Sequence, residues 1–438
     1  MPDRETWATR LGFIAASIGS AVGLGNIWRF PFQTAENGGS AFLVVYLVAV
    51  LLIGLPALLA EFVIGRRANL NAIDAFDRLD RPNWKVVGAI GVLAGFWTLA
   101  YYSVVGGWVI RYVYGSATGA YFGGPEAYFD AIAEGPEAIA LHFLFIATSA
   151  AIVAFGIEDG IERATKLMVP SIILLMVGLA AYAATLPGVG EGYAFFLSPD
   201  LSTIAANAGE VVPAAVGQAL FSLSLGFSIM ITYASYLGED DNLALDGVSI
   251  AAFNTFVGVL AGFVVFPLLF AQGVEVGDAG TNAVFVSVAS ALSGLPFGRV
   301  LGVVFFGTVL IAALSSAISL LEAVTAYVVD NYRFGRVQTA VGIGTALFLA
   351  GVPSALSLDW LDWFDTVAGS LLLPLAVFGV VFFVGWVMTD EAIAEVRQGA
   401  SGSGTLSVLW LWTVRTVVLL AVGGTVAVSL LELRAPPL

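Results

Sequence analysis

Gly19-Ser20-Ala21-Val22-Gly23-Leu24-Gly25-Asn26-Ile27-Trp28-Arg29-Phe30-Pro31 lies in an apolar run long enough to cross a bilayer, yet it does not read as one uninterrupted helix. A glycine inside a helix costs roughly 1 kcal/mol relative to alanine, and Gly19, Gly23 and Gly25 fall close together. In hydrocarbon, a backbone group released by a break must find another partner, so a break persists only where protein encloses it. Freed carbonyls suit a cation, and the N-terminus of the following half-helix, near Asn26, suits an anion. The stretch therefore reads as a substrate and ion site at mid-membrane. A glycine-rich helix-packing face is the competing reading of these residues alone.

Composition points the same way. Of 438 residues, 59% are hydrophobic and 11% charged, which places the chain in the membrane class. That length holds about ten to twelve spans of roughly 20 residues. Cysteine is absent, which excludes disulfides and thiolate metal sites. The single histidine, His142, falls at the outer start of an apolar run and reads as a packing residue rather than a catalyst. Met1-Pro2-Asp3-Arg4-Glu5 has no signal-peptide character, so the first run itself is expected to direct insertion. The net charge of -15 is scattered over short acidic loops such as 239–246, and nothing resembles the basic footprint of a nucleic-acid binder.

Apolar runs define eleven segments, near 11–36, 40–65, 86–116, 137–156, 165–186, 210–236, 243–271, 298–329, 338–353, 362–388 and 406–433. Lysine and arginine are concentrated on one side, with Arg66, Arg67, Arg78, Arg81 and Lys85 in a single loop, against Arg29, Arg111, Arg299 and Arg434 on the other. This bias places the N-terminus inside and, with an odd number of crossings, the C-terminus outside the plasma membrane.

Segment 6 repeats the peculiarity of segment 1, because Ser222-Leu223-Ser224-Leu225-Gly226-Phe227-Ser228 interrupts its apolar run with hydroxyls and a glycine. The two breaks are offset by five segments, an odd number, so the second set of five enters the membrane from the opposite side. The expected fold is an all-α integral membrane protein of eleven transmembrane helices. It comprises two inverted five-helix repeats with broken first and sixth helices. The boundaries expected are 1–187 for the first repeat, 188–209 for an extracellular loop and 210–389 for the second repeat. A cytoplasmic loop, 390–405, and the eleventh span, 406–438, follow. Paired breaks in inverted halves mark the site of a secondary transporter. Segment 7 adds Asn254, and segment 8 carries Ala312, Ser316, Ser319, Ala323, Ala326 and Asp330 on one helix face. That stripe serves either close packing or, with Ser315 beside Ser316, an all-oxygen cation site. Glu322 is an intramembrane acid, a functional candidate that could also bond backbone near the inner vestibule.

The run from Trp7-Ala8-Thr9-Arg10 to Glu36-Asn37-Gly38-Gly39, together with Val216 to Phe227 and Ile231-Thr232-Tyr233-Ala234-Ser235-Tyr236, resembles the neurotransmitter:sodium symporter family, of the bacterial leucine-transporter type. That fold is itself a standard instance of the paired-break rule. The resemblance implies two sodium sites. One would use Ala21, Asn26, Ser222 and Asn254 with the substrate carboxylate, the other Gly19, Val22, Ala312, Ser315 and Ser316. It implies a substrate pocket of Ala21, Gly23, Leu24, Gly25, Thr98, Tyr102, Phe221, Ser222, Ser224, Phe227, Ser316 and Leu320. An outer gate of Arg29 and Asp365 would lie under Phe221 and Tyr102, and an inner gate of Arg4 and Asp330 would have Trp7 and Tyr236 beside it. Gly160 and Pro170 resemble the family's unwinding motif in segment 5. Monoamine carriers of this family have an aspartate where Gly23 stands, so the substrate here is expected to bring its own carboxylate. Tyr46, Gln218 and Ser222 match the family's positions around chloride, while Gly258 offers neither the acid of chloride-independent relatives nor the serine of chloride-dependent ones.

These readings converge on a sodium-coupled symporter for a neutral, mainly apolar amino acid, with either chloride in the space at Gly258 or another acid, such as Glu322, supplying the compensating charge. A membrane receptor or sensor of the same fold is the alternative, separable by the absence of concentrative uptake. A channel fits less well, since a closable gate on each side suits alternating access. No histidine or nucleophile pairing in the segments supports an enzyme.

Overall fold

Thr9, extended at φ -146°, starts the first helix by accepting from the Gly12 amide with its hydroxyl at 3.0 Å, and Arg10–Ala21 follows. Val22, at φ -82° and ψ 90°, leaves helical geometry and ends it. The chain resumes as a wide π turn over Gly25–Arg29 and continues as Phe30–Glu36, bent by 45° from the first half. Segment 1 is thus two half-helices joined by Val22-Gly23-Leu24.

The computed structural model describes residues 6–199, 201–238, 241–273, 283–399, 404–432 and 435–437, and among them the chain is all helical. Among the described residues, nine helices are long and apolar enough to cross a membrane, and the bent pair of segment 1 makes a tenth. Segments 2 to 5 are Ser40–Ala68, Pro82–Thr118, Pro136–Ala154 and Ile157–Ala183. Segments 7 to 11 are Leu243–Ala271, Gly298–Asn331, Arg336–Leu356, Leu358–Val387 and Gly404–Leu430. Segment 6 consists of two separate helices, Ala208–Ser222 and Ile229–Ala234, each too short to cross alone.

Segment 5 begins well before the expected residue 165. Gly156, at φ 92°, closes the preceding helix, and Ile157–Glu162 forms a π turn despite carrying Glu158, Asp159 and Glu162. Hydropathy discounts that charged turn, but buried Glu162 is bound by the amide of Ala8 at 2.9 Å, the hydroxyl of Thr9 at 2.9 Å and Lys166 at 2.6 Å. Gly160 lies in this turn and Pro170 inside the helix that follows. The stretches expected as the loops 188–209 and 390–405 include short helices, Val189–Leu197, Leu201–Ala206 and Thr389–Arg397.

Segments 3 and 8 are packed along one another, and the first half of segment 1 lies against segments 5, 7 and 8. Segment 6 rests on segment 2. Segments 1, 3, 6 and 8 thereby meet around the two breaks. Leu51, Leu52, Leu167, Leu174, Leu349, Leu409 and Leu420 stay exposed on the outer helices, as a bilayer-facing surface requires.

Candidate functional site

The backbone groups released by the first break are met by side chains from other helices. Ser315 Oγ donates to the carbonyl of Gly19 at 2.5 Å and to that of Ala312 at 3.1 Å, while Ser316 Oγ donates to the carbonyl of Ser20 at 2.8 Å. Ser224 Oγ reaches the same Ser20 carbonyl at 2.9 Å, and Gln218 Nε2 donates to the carbonyl of Gly25 at 2.7 Å. The Leu24 amide donates to Tyr102 Oη at 3.3 Å. Every one of these partners is buried. The glycines are required by close approach. A Cβ on Gly23 would stand 2.2 Å from Ser316 Oγ, and one on Gly25 would stand 2.9 Å from the Phe221 ring.

The second break is held in rarer geometry. Ser224, Gly226 and Ser228 all have positive φ, at 54°, 79° and 61°. Left-handed serines are uncommon and cluster where surrounding structure fixes them for function. Glu61 Oε1 of segment 2 accepts from the Gly226 amide at 2.7 Å, and Ser228 Oγ donates to the Gly88 carbonyl at 3.2 Å.

Two oxygen clusters result. In one, Ser315 and Ser316 face the carbonyls of Gly19, Ser20 and Ala312, next to Val22 at the end of the first half-helix. In the other, Asn26 Nδ2 donates to the carbonyl of Asn254 at 2.9 Å and to its Oδ1 at 2.8 Å. That Oδ1 also faces the carbonyls of Ala21 at 3.2 Å and Ser222 at 2.9 Å, acceptor against acceptor. Turning the amide over lets its nitrogen donate to both carbonyls, at the cost of the contact from Asn26 to Oδ1. With the oxygen inward, the set of Ala21 O, Ser222 O and Asn254 Oδ1 suits a hard cation instead. Behind it, Tyr46 Oη and Ser222 Oγ are 3.1 Å apart, and Gln218 Oε1 has no partner. The nearest atoms to a Cβ on Gly258 would be Asn26 Nδ2 at 3.6 Å and the Phe30 ring at 3.8 Å, so there is room for one at this position.

Between the breaks lies a small cavity of about 20 Å³. Its wall comprises the residues expected for the substrate pocket with one exchange. Ser222 lies behind the wall, engaged with Tyr46 and Asn254, and Ser20 takes a place in it. None of the lining residues is charged.

At the outer end, no ion pair within 4 Å joins Arg29 to Asp365 among the described residues. Arg29 Cζ sits 4.7 Å from the centre of the Phe221 ring, and Asp365 Oδ1 accepts from Tyr101 Oη at 2.6 Å. The direct pair expected there gives way to an arginine on the pocket's aromatic lid and an acid held by segment 3. At the inner end, Arg4 lies outside the described residues. Asp330 accepts from Asn71 Nδ2 at 3.0 Å. Trp7 Nε1 donates to the carbonyl of Tyr233 at 3.0 Å, with its ring 6.1 Å from that of Tyr236. Tyr236 Oη donates to Glu322 Oε1 at 3.0 Å, and Arg336 of segment 9 pairs with Glu322 Oε2. Glu322 is therefore a tie between segments 6, 8 and 9. His142 is buried between Ser103 Oγ, at 2.8 Å, and the carbonyl of Phe348, at 3.0 Å, a packing position.

Sequence reasoning passed over Glu61, Tyr101, Arg336 and Ser20. Glu61 carried a usable signal, as an acid inside an apolar run. Tyr101 carried none, being one aromatic among many.

A family model described as the sodium:neurotransmitter symporter family matches residues 4–122 and 134–436. The chain is 36% identical to an uncharacterised sodium-dependent transporter of Haemophilus influenzae, over 95% of this chain and 96% of that one. It is 34% identical to the sodium-dependent transporter YhdH of Bacillus subtilis, over 95% of each. The structure of MhsT in complex with L-phenylalanine aligns with a TM-score of 0.89 at 39% identity, covering 97% of this chain and 99% of MhsT.

Proposed function

Because the chain belongs to the sodium:neurotransmitter symporter family, we propose that it is a sodium-coupled symporter that imports a neutral, mainly apolar α-amino acid by alternating access. The observation that carries this reading is the convergence of two broken segments on an uncharged cavity flanked by two oxygen clusters. MhsT binds an amino acid in a fold this close, which supports the substrate class.

The residues assign the work as follows. The oxygens of Ala21, Asn26, Ser222 and Asn254 hold one sodium, and the substrate carboxylate completes its shell. Gly19, Val22, Ala312, Ser315 and Ser316 hold the other, tying segment 1 to segment 8. Ion binding and substrate binding are coupled because the first sodium is incomplete without the carboxylate. The substrate must supply that charge itself, since Gly23 has no space for an acidic side chain against Ser316. Phe227, Leu320 and Tyr102 bound a largely apolar side-chain site, and Phe221 under Arg29 closes it from outside. The same reading takes segment 6 as a crossing, giving eleven in two inverted sets of five, with the N-terminus cytoplasmic. It also places chloride beside Tyr46, Gln218, Ser222 and Gly258, where an anion would balance the first sodium.

Sodium-dependent accumulation of amino acids in proteoliposomes tests the proposal. Uptake above the external concentration that collapses when the sodium gradient is removed is the expected result. Binding without accumulation would instead mark a receptor.

A further inference from the structure

Arg415 stands inside segment 11, with the exposed Leu409 before it and the exposed Leu420 after it. A charge within a span is costly, normally turns to the bundle interior or a water-filled cavity, and marks function by default. This one is half-buried and has no carboxylate within 4 Å among the described residues. Arg10, Arg66, Arg67, Arg111, Arg163 and Arg336, by contrast, each pair with an acid. Asp390 and Glu391 directly follow Thr389, which Arg415 does bond, yet neither carboxylate reaches the guanidinium. Glu391 instead lines a cavity with Arg66, Arg67, Arg78 and Arg81.

The arginine is held in place rather than left to reach for solvent. Its Nε donates to the carbonyl of Gly385 at 2.6 Å and its Nη2 to Thr389 Oγ1 at 2.8 Å, at the end of segment 10. Both partners are neutral oxygens, so they fix the direction of the guanidinium without balancing its charge. Both helices widen into π turns here, Phe383–Val387 and Val414–Val418, and such turns gather at functional sites. Gly385 eases the approach, since a Cβ there would stand 3.2 Å from Arg415 Cγ. The ring centres of Trp386 and Trp412 each lie 5.2 Å from Arg415 Cζ, and both residues are 53% exposed. Tryptophans on a bilayer-facing surface sit at headgroup level. Among the described residues, neither Arg415 Nη1 nor either indole N–H has a hydrogen-bond partner. An uncompensated charge and unused donors thus stand beside apolar surface at the level where a bilayer presents its phosphates.

We propose that Arg415, Trp386 and Trp412 form a binding site for the phosphate of a net-negative phospholipid, which braces the end of segment 10 against segment 11. A guanidinium matches phosphate oxygens with its planar fork, and basic sites at this level hold anionic headgroups. A zwitterionic phospholipid carries the same phosphate but cancels its charge within the headgroup, so it leaves Arg415 less well balanced.

The test titrates the purified full chain in detergent with phosphatidylglycerol or phosphatidylcholine of identical acyl chains, and native mass spectrometry counts the lipids retained. Wild type should hold one phosphatidylglycerol about tenfold more tightly than phosphatidylcholine. Arg415→Gln should bring the two lipids to equal affinity. Arg397→Gln, which removes an exposed arginine bound to Ser407, should leave the preference intact. A second measurement needs no change at Arg415. In vesicles, acyl-brominated phosphatidylglycerol should quench tryptophan fluorescence more than acyl-brominated phosphatidylcholine at equal mole fraction. That excess should vanish when Trp386→Phe and Trp412→Phe are combined. Equal affinity for the two lipids in wild type overturns the proposal, as does a preference that survives Arg415→Gln or a quenching excess that survives the double variant. A dimer dissociated by Arg415→Gln, with no lipid preference, would assign this face to a second copy of the chain and overturn it as well.

Discussion

Ser316 and Ser319 stand on one face of segment 8, yet their contacts differ. Ser316 Oγ turns to the carbonyl of Ser20 in the first break, whereas Ser319 Oγ donates to the carbonyl of Ser315 at 3.0 Å and accepts from Tyr233 Oη at 2.8 Å. Ser316→Ala should therefore raise the sodium concentration for half-maximal uptake about tenfold, the loss of one direct ligand. Ser319→Ala should leave the sodium curve in place and cost roughly 1–3 kcal/mol of stability, because the Tyr233 hydroxyl is stranded. Identical sodium curves for the two variants would refute the ligand assignment. Gly258 makes a second residue-scale prediction. A sodium ion about 5 Å from an anion gains roughly 3 kcal/mol at an effective dielectric near 20, about a hundredfold in affinity. Glu322, the acid that could have supplied this charge, is committed to Arg336 and Tyr236. Uptake in sodium chloride should exceed uptake in sodium gluconate, and Gly258→Glu should remove the difference. Wild-type uptake equal in the two salts would end the chloride assignment.

At the scale of helices, two contacts decide how segments are tied. Arg336 joins segment 9 to the fully buried Glu322 of segment 8, and its Nε also donates to the carbonyl of Val153 at 3.0 Å. Removing one member of a buried pair leaves an uncompensated charge, typically worth 3–5 kcal/mol. Arg336→Ala should lower the unfolding temperature strongly, and adding Glu322→Gln should recover much of the loss. A double variant no better than the single one would show that the bond to Val153, not the charge, matters. On the outer side, Asp365 of segment 10 is held by Tyr101 of segment 3 rather than by Arg29. Tyr101→Phe should then impair transport about as much as Asp365→Ala. The charge-swapped pair Arg29→Asp with Asp365→Arg should not rescue it, because the swap leaves the Tyr101 hydroxyl facing a cation. Transport restored by the swap would return the direct pair to the mechanism.

Over the whole molecule, one end of the helix bundle is tied together by Asp74, which lies between segments 2 and 3. Partial burial pushes its pKa up, but bonds from Asn331, Asn71 and Lys85 outweigh that and hold it below the usual aspartate range. A carboxylate whose folded pKa is depressed contributes stability that is present above its unfolded pKa, about 3.9, and is lost as pH falls through the lower folded value. Asp74→Asn should thus flatten the stability profile below about pH 4 and leave its shape near neutrality unchanged, as thermal unfolding across pH would show. The sequence by itself determined the membrane class, the helical segments and the two breaks. Each of these follows from local composition, since glycine weakens a helix wherever it stands and apolar length sets a crossing. The wall of the pocket was named through the family resemblance, since its residues lie in segments 1, 3, 6 and 8, far apart in the chain. The tertiary structure alone decided which partners satisfy the released groups. Ser315 meets Gly19 across 296 residues, Tyr101 displaces Arg29 at Asp365, and Ser20 enters the wall from which Ser222 withdraws. Charged Ile157–Glu162 is helical with its buried Glu162 bound by Thr9 and Lys166, contacts that hydropathy cannot see. Hydropathy and propensity are properties of a residue and its neighbours along the chain, whereas a hydrogen-bond partner is chosen by the distance and angle between packed helices.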